Sequence, residues 1–182
     1  MSLQDKSPVS LLDKLQGEHA ALPPRFSHQA ILLAWLGAFV AMAVVGLLTQ
    51  KLAHLLILGS FGASCVILFA YPDAPFAQPR NTIGGHFLSS LVGLTVISLL
   101  GVTWWTLAIA VATAVALMML TRTVHPPAGS NPVIVWLMAA SHTGLSWDFL
   151  WFPTLFGAIA ITIVSLIYNN LTRDGRYPKY WI

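Results

Sequence analysis

The sequence predicts an all-α, polytopic helical membrane protein, and three observations point to that class. Hydrophobic residues make up 57% of the 182 residues, charged residues only 8%, and the mean hydropathy is +0.75. A soluble chain of this length needs more charge to cover its surface. Most Lys and Arg residues stand in the tails or at loop edges, so the net charge of +3 indicates topology, and no nucleic-acid partner is expected.

Six apolar segments follow the polar first 28 residues. Four of them approach the roughly 20 residues that a helix needs to cross a bilayer: residues 31–49, about 85–102, 104–121 and about 149–169. The second segment, about 54–71, contains the small residues of "LGSFGAS" and is predicted to be discontinuous. The fifth, 132–142, is only about eleven residues long, which predicts a half-spanning helix shielded by protein.

Basic residues set the predicted orientation. Those of the two tails are Lys6, Lys14, Arg25, Arg173, Arg176 and Lys179. Both termini are therefore expected to be cytoplasmic, which requires an even number of crossings. Six crossings place Arg80 and Arg122 inside and only Lys51 outside, whereas four crossings with a re-entrant second and fifth segment also keep both ends inside.

The chain is expected to form a single transmembrane domain over residues 29–171. Residues 1–28 are predicted to be a cytoplasmic N-terminal lead-in, in which "VSLLDKLQG" favours a short surface helix, and residues 172–182 a cytoplasmic tail. The polar start and the spanning length of the first apolar run argue against a cleaved signal peptide, and no transit sequence is evident.

The six segments divide into two sets of three with the same order of long, interrupted and long helices. "GASCVILF" in the first set and "GSNPVIVW" in the second occupy matching places. Three helices in each set predict an inverted repeat, an arrangement that puts a substrate site at the membrane midplane. Because few residues of the two stretches are identical, the alternative is that their similarity arises by chance.

Residues 121–132, "TRTVHPPAGSNP", are the strongest candidate for a site. Two prolines end the preceding helix, and Gly129 permits close approach of another backbone or a ligand. Asn131 followed by Pro132 is typical of a helix start, whose free N–H groups and dipole favour an anion. His125, Ser130 and Asn131 are therefore predicted to form one side of the site.

The other predicted site residues come from the first half of the chain. Ser60, Gly62 and Ser64, in the interruption of the second segment, would face the Asn-Pro helix start if the repeat is inverted. The remaining candidates, predicted to line the cytoplasmic approach and to attract anions, are Arg80, Asn81 and His86.

Each candidate also has a purely structural interpretation. Pro, Gly and Asn form turns without binding anything, and His125 could satisfy a neighbouring backbone group. Arg80 could be an interfacial anchor. The series Gly85, Ser89 and Gly93, spaced by four, predicts a face of close helix contact.

Missing residue types exclude several functions. Asp73 and Asp148 stand at the edges of the apolar segments, and no acidic residue lies within one, which disfavours a proton pump or a sodium site. The six histidines lack metal-ligand spacing and the single cysteine, Cys65, excludes an intrachain disulfide. Neither a serine-hydrolase elbow nor a phosphate-binding loop is present, so no cofactor, metal or enzyme activity is expected.

Three stretches resemble one family. "GSFGASCVILFAYPDAPFAQPRNTIGGH" (59–86), "TRTVHPPAGSNP" and "YNNLTRDGRYPKYW" (168–181) resemble the HPP family of integral membrane proteins, which takes its name from the His-Pro-Pro at 125–127. The resemblance implies a small multispanning protein, and members in cyanobacteria and plastids are associated with nitrite transport. Lacking a plastid targeting segment and appended CBS domains, the chain is expected in a bacterial inner membrane. Asp73 stands where relatives have a small residue.

Together these features predict a transporter for a small inorganic anion, with nitrite the leading candidate. His125, whose imidazole has an unperturbed pKa of about 6.5, would bind the anion as a cation and release it on deprotonation. The alternatives are a passive anion channel and a membrane enzyme or signalling component. The expected partners are the lipid bilayer and the anion, and homo-oligomerisation is left open.

Overall fold

The computed structural model describes residues 14–15, 20–141 and 144–181. These residues contain no strand, and the all-α class is confirmed. The described residues between 28 and 172 form six α-helices: α1 (His28–Leu52), α2 (Gly59–Cys65), α3 (Pro79–Leu100), α4 (Trp104–Leu120), α5 (Asn131–Ala140) and α6 (Phe156–Thr172). The surface helix predicted at 9–17 and the predicted end of the fifth segment at His142 lie outside the described residues, apart from Lys14 and Leu15.

Shorter helical turns join these helices. A π-helix, Val66–Ala70, continues α2, and another, Leu150–Leu155, leads into α6. Two 3₁₀ turns, Pro75–Ala77 and Pro126–Ser130, precede α3 and α5. Three helical runs of the described chain are long and apolar enough to span a bilayer: His28–Leu52, Pro79–Leu100 and Leu150–Thr172. The runs Gly59–Ala70 and Trp104–Leu120 are apolar but shorter.

Helix α1 lies at the periphery of the bundle. Its buried residues, Gly37, Ala41 and Val45, recur every four positions and form one narrow contact face. The ring of Phe69 fills the space beside Gly37, where a Cβ would lie only 2.4 Å from the ring. The remaining surface carries exposed apolar side chains such as Trp35, which suits contact with lipid.

Helix α3 is the central helix, in contact with α4, α5, α6 and the turns that precede α5 and α6. It begins at Pro79, six residues earlier than predicted, because its polar first turns are shielded by protein. Asn81 Nδ2 donates to Val124 O at 2.8 Å, and Thr82 Oγ1 donates to Gln78 O at 3.2 Å. Gly101, with φ of 76°, ends the helix.

The second and fifth segments are both broken. In the second segment, the break is not at the position that the sequence predicts. The small residues from Gly59 onward are helical, and the break lies before them because Leu58 is extended, with φ of −122° and ψ of 144°. In the fifth segment, the predicted half-helix is confirmed: α5 has 10 residues and follows an extended His125. Asn131 is the first residue of α5 rather than its cap, a position held by Ser130.

Both ends of the described chain lie at one face of the bundle. Phe26 packs edge-on against Tyr71 at 5.4 Å, and Arg173 forms an ion pair of 2.7 Å with Asp73. Arg80 Nη2, from the start of α3, donates to Thr121 O at 2.8 Å. We call this side the basic face. The opposite face is marked by Trp136 Nε1 donating to Thr103 O at 2.8 Å.

Candidate functional site

A chain of hydrogen-bonded polar side chains occupies the protein core. It joins Ser64 of α2, His86 of α3, His125 before α5 and Asn131 of α5, all with no exposed surface. Ser64 Oγ lies 3.0 Å from His86 Nε2 and 2.8 Å from His125 Nε2. Asn131 Nδ2 lies 3.1 Å from His86 Nδ1. We call these four residues the histidine chain.

The small-residue face of α3 brings this chain together. A Cβ on Gly85 would lie 2.8 Å from both His125 Cβ and Thr123 O, and one on Gly93 would lie 2.9 Å from Pro132 Cα. Between them, Ser89 Oγ donates to Ala128 O at 2.6 Å. The predicted face of close contact is therefore confirmed, and its partner is the segment that carries His125 and Asn131.

The histidine chain continues at both ends with groups that the sequence analysis missed. His125 Nδ1 lies 2.8 Å from the carbonyl oxygen of Phe76. Asn131 Nδ2 donates to Ser90 Oγ at 2.9 Å, which lies 3.0 Å from Thr154 Oγ1. Ser90 lies one turn beyond His86 on α3, a spacing that could have indicated it. The Phe76 carbonyl could not have been predicted from the sequence, because it is a backbone group 49 residues away from His125.

Two buried polar atoms near the chain have no hydrogen-bond partner among the described residues: Asn131 Oδ1 and Ser60 Oγ. Ser60 is 3% exposed and lies one turn before Ser64, whose hydroxyl is 3.0 Å from Ser60 O. An unsatisfied buried polar atom costs about 1–3 kcal/mol, so both atoms are available to a ligand or to a rearranged side chain.

Three predicted site residues lie away from the histidine chain. Gly62 is exposed, because the face of α2 that carries Ser60 and Ser64 is the one that turns inward. Ser130 is also exposed, and its hydroxyl donates to Pro127 O at 2.8 Å. Gly129 is half-buried, with no atom within 4 Å of its Cβ position. The structure therefore does not bring these three residues together with the histidine chain, and their part in a site stays a prediction.

The residues predicted to line the cytoplasmic approach separate into two groups. His86 is fully buried in the histidine chain, two turns inside α3, and so lies deeper than the approach in which the sequence places it. Arg80 and Asn81 lie at the basic face, where both donate to backbone carbonyls of residues 121–124. Arg80 therefore ties the start of α3 to the loop that precedes His125.

The C-terminal tail closes the basic face over the loop that holds Phe76. Tyr177 OH donates to Ala77 O at 2.6 Å, and the backbone N–H of Lys179 donates to Gln78 Oε1 at 2.7 Å. Burial raises the pKa of Tyr177 to about 12, so its phenol remains a donor at physiological pH. Tyr180 OH adds a hydrogen bond of 3.0 Å to Asn81 Oδ1.

Asp73 is not a free negative charge at this face. Its carboxylate forms ion pairs with Arg173 at 2.7 Å and with Lys179 at 3.0 Å. The hydrogen bond from Lys179, with the hydrogen bond and charge of Arg173, holds the pKa of Asp73 below its usual value despite slight desolvation. Asp73 therefore links this loop to the C-terminal tail.

The opposite face is open by comparison. A cavity of about 730 Å³ lies there between the extended residues before α2, helix α5 and the π-helical start of α6. His54, Gly59, Met138, Asp148 and Pro153 are among the residues that line it. Gly59 immediately precedes Ser60, so the cavity reaches the start of α2 close to an unpartnered hydroxyl.

The bundle and its core define a helical membrane protein with a hydrogen-bonded row of buried polar side chains inside it. Within the part of the chain that the structure describes, no group of three His, Cys, Asp or Glu residues is placed to bind a metal. The chain belongs to the HPP family: residues 23–178 match the family described as "HPP, transmembrane region". This match confirms the resemblance carried by residues 59–86, 121–132 and 168–181.

Two curated relatives are proteins of Dictyostelium discoideum, both described only as transmembrane proteins. One is 36% identical over a 167-residue alignment that covers 87% of this chain and 58% of the relative. The other is 32% identical over a 167-residue alignment that covers 87% of this chain and 53% of the relative. The chain thus spans a little over half the length of these relatives. No solved structure matches it significantly.

Proposed function

We propose that this protein carries a small inorganic anion across a membrane, with nitrite as the leading candidate. The observation that carries the proposal is the histidine chain, which lies where both broken segments meet the central helix α3. Six crossings and an inverted repeat, in which α2 and α5 are equivalent half-helices, are part of the proposal. The basic face is then cytoplasmic, in a bacterial inner membrane.

The chemistry of the core supports an anion over a cation. Hydroxyl, amide and imidazole N–H groups bind anions by donating hydrogen bonds, whereas a cation site needs carboxylates or several convergent oxygens. In the described residues, the buried polar side chains around α3 include none that is acidic. The family's association with nitrite transport makes nitrite the first anion to test.

Binding requires movement, because both ring nitrogens of His125 already have protein partners. The most direct way to free a donor is to displace the Phe76 carbonyl, which belongs to the loop under the C-terminal tail. The 730 Å³ cavity offers an approach from the opposite face. The conformation described here is therefore closed toward the basic face, and transport proceeds by alternate opening of the two faces.

Uptake of nitrite, nitrate, formate and chloride into liposomes containing the purified protein tests this proposal. We expect saturable nitrite uptake that increases with an inward proton gradient. Replacement of His125 by Gln removes one hydrogen bond of the chain and should lower uptake about tenfold or more without changing expression. His28→Gln, an exposed position at the start of α1, is the matched control.

The same assay separates the alternatives. A passive channel would give flux that follows the electrochemical gradient without accumulation driven by pH. No uptake of any of the four anions by wild-type protein would exclude the proposal in favour of an enzymatic or signalling role. If His125→Gln takes up the anion at the wild-type rate, His125 is excluded from the site, while the proposal of anion transport stands.

A further inference from the structure

When both rings are neutral, the hydrogen bonds of the histidine chain can all run in one direction. A carbonyl oxygen only accepts, so the proton between Phe76 and His125 must be on His125 Nδ1. In a neutral ring the other nitrogen, Nε2, is then unprotonated. It therefore accepts from the hydroxyl of Ser64 at 2.8 Å.

The direction continues through the second ring. Ser64 has one hydroxyl hydrogen, for which Ser60 O at 3.0 Å competes with His125 Nε2 at 2.8 Å. Because the unprotonated Nε2 has no other donor, the hydrogen goes to His125, and only lone pairs remain for His86. His86 Nε2, 3.0 Å from Ser64 Oγ, must therefore carry the proton and donate. Its Nδ1 is then free to accept from Asn131 Nδ2 at 3.1 Å. The two buried histidines are thus held as opposite tautomers.

The carboxamide of Asn131 can either donate a hydrogen bond to His86 Nδ1 or accept one from it. Its amide nitrogen donates to the unprotonated His86 Nδ1, while its oxygen is buried without a partner in the described structure. A half-turn of the carboxamide would present that oxygen to a protonated Nδ1. The contacts of Nδ2 with His86 O at 3.3 Å and Ser90 Oγ at 2.9 Å would be lost, but the Ser90 hydroxyl can donate to the amide oxygen instead.

We propose that His86, Ser64 and His125 form a proton relay that moves one proton with each transported anion, and that Asn131 sets its direction. This inference rests on the proposed function. When the opposite face is open, a proton from the solution there binds His86 Nδ1 as Asn131 turns. His86 then passes its Nε2 proton to Ser64 Oγ, and Ser64 passes its own to His125 Nε2. His86 and Ser64 end neutral, and His125 carries the added positive charge.

The anion takes the place of the Phe76 carbonyl at this stage. It accepts a hydrogen bond from the Nδ1–H of the charged His125, so that proton and anion are present at one site. Release of the His125 Nδ1 proton, together with the anion, to the solution at the basic face leaves every hydrogen bond of the histidine chain reversed, with His86 Nδ1 donating to Asn131 Oδ1. When the hydrogen bonds are reversed in this way, a proton enters at His125 and leaves at His86. The relay is therefore reversible.

The surroundings leave the proton mobile. Three elements around the histidine chain carry titratable or charged groups. Helix α2 carries Cys65, next to Ser64 in the sequence. Helix α3 carries Arg80, which donates to Thr121 O, and the tail carries Tyr177, which donates to Ala77 O. Asn131 is the polar residue that α5 contributes. In the described residues no ion pair or hydrogen bond joins either ring to a charged side chain, so no carboxylate holds the proton at one end.

Nitrogen-15 NMR of histidine-labelled protein in lipid bilayers tests the relay without requiring transport. We expect one buried ring protonated at Nδ1 and another at Nε2, identified by the signals lost in His125→Gln and His86→Gln respectively. Ser64→Thr should keep both tautomers, and Ser64→Ala should disturb them. Two buried rings with the same tautomer would overturn the inference.

Simultaneous recording of nitrite uptake and lumenal pH tests the coupling. Wild-type protein should move one proton per nitrite, Ser64→Ala should lower coupled proton movement about tenfold or more, and Ser64→Thr should restore it. Ser98→Ala, at an exposed position of α3, is the control. Nitrite uptake without proton movement in wild type would overturn the relay alone. Absence of nitrite uptake would overturn the proposed function, and the NMR result would still decide the arrangement of the protons.

Discussion

Ser64 shows how much of the candidate site a single residue decides. One hydroxyl group lies within hydrogen-bonding distance of both buried histidine rings and of the Ser60 carbonyl. The sequence singles out Ser64, His86, His125 and Asn131 because polar residues stand out in apolar segments. It cannot show that they share one chain, since their contacts join positions 22 to 61 residues apart. It also places His86 in the approach, because the helix was expected to begin later.

Gly93 offers a test of packing at the residue scale. A Cβ at this position would lie 2.9 Å from Pro132 Cα, and a backbone atom cannot move aside without shifting α5. Gly93→Ala should therefore lower stability by about 1–3 kcal/mol, measured as a lower midpoint of thermal unfolding in detergent. Gly46→Ala, with no atom within 4 Å of its Cβ position, should leave the midpoint unchanged or raise it. Equal midpoints for the two variants would contradict the close contact of α3 and α5.

At the scale of elements, length predicts more reliably than capping signals. Helix α5 could be predicted from an apolar run too short to span. The Asn-Pro pair marks the start of α5 correctly, but Asn131 is not the cap, because its amide finds buried partners and a 3₁₀ turn already supplies the Ala128 carbonyl to its backbone N–H. For α2, small residues suggest a break inside the helix. Buried Ser60, Phe61 and Ser64 instead pack within it, which favours the helical conformation there.

The C-terminal tail is an element whose contacts depend on Asp73. Asp73→Asn removes the charge that pairs with Arg173 and Lys179, and should reduce the hydrogen-exchange protection of residues 173–181 at neutral pH. The change in stability should be small, about 1 kcal/mol or less, because all three side chains are partly exposed. Asp174→Asn, an exposed tail residue, is the control and should retain full protection.

The pH dependence of this contact follows from the lowered pKa of Asp73. A carboxyl group whose pKa is lower when folded contributes fully above its unfolded value and loses that contribution as the pH falls through the folded value. The usual value is 3.8, so protection factors of the tail should be constant from neutral pH down to about pH 5 and fall only below about pH 4. A decrease between pH 7 and pH 5 would contradict the assignment to Asp73.

At the scale of the whole molecule, charge and contacts agree on sidedness. Arg80 and Arg173 lie at one face with the loops and the tail that they bind, whereas Lys51 lies in the last turn of α1, at the other end of that helix from Phe26. The sequence predicts this division because basic residues are distributed unequally between the two sides of a membrane. It does not predict that the tail folds back onto residues 73–81, since those contacts join positions about 100 residues apart.

Cysteine labelling tests this topology directly, because the one native cysteine, Cys65, is buried and gives little background. Leu22→Cys and Gly175→Cys place exposed thiols at the basic face, and Gln50→Cys places one near the opposite end of α1. If the basic face is cytoplasmic, a membrane-impermeant maleimide should label Gln50→Cys in intact cells and the other two only in inverted vesicles. Labelling of Leu22→Cys and Gly175→Cys from opposite sides would contradict the shared face seen in the structure. Labelling of both from outside would preserve that face but reverse the orientation, and the anion would then approach through the 730 Å³ cavity from the cytoplasm.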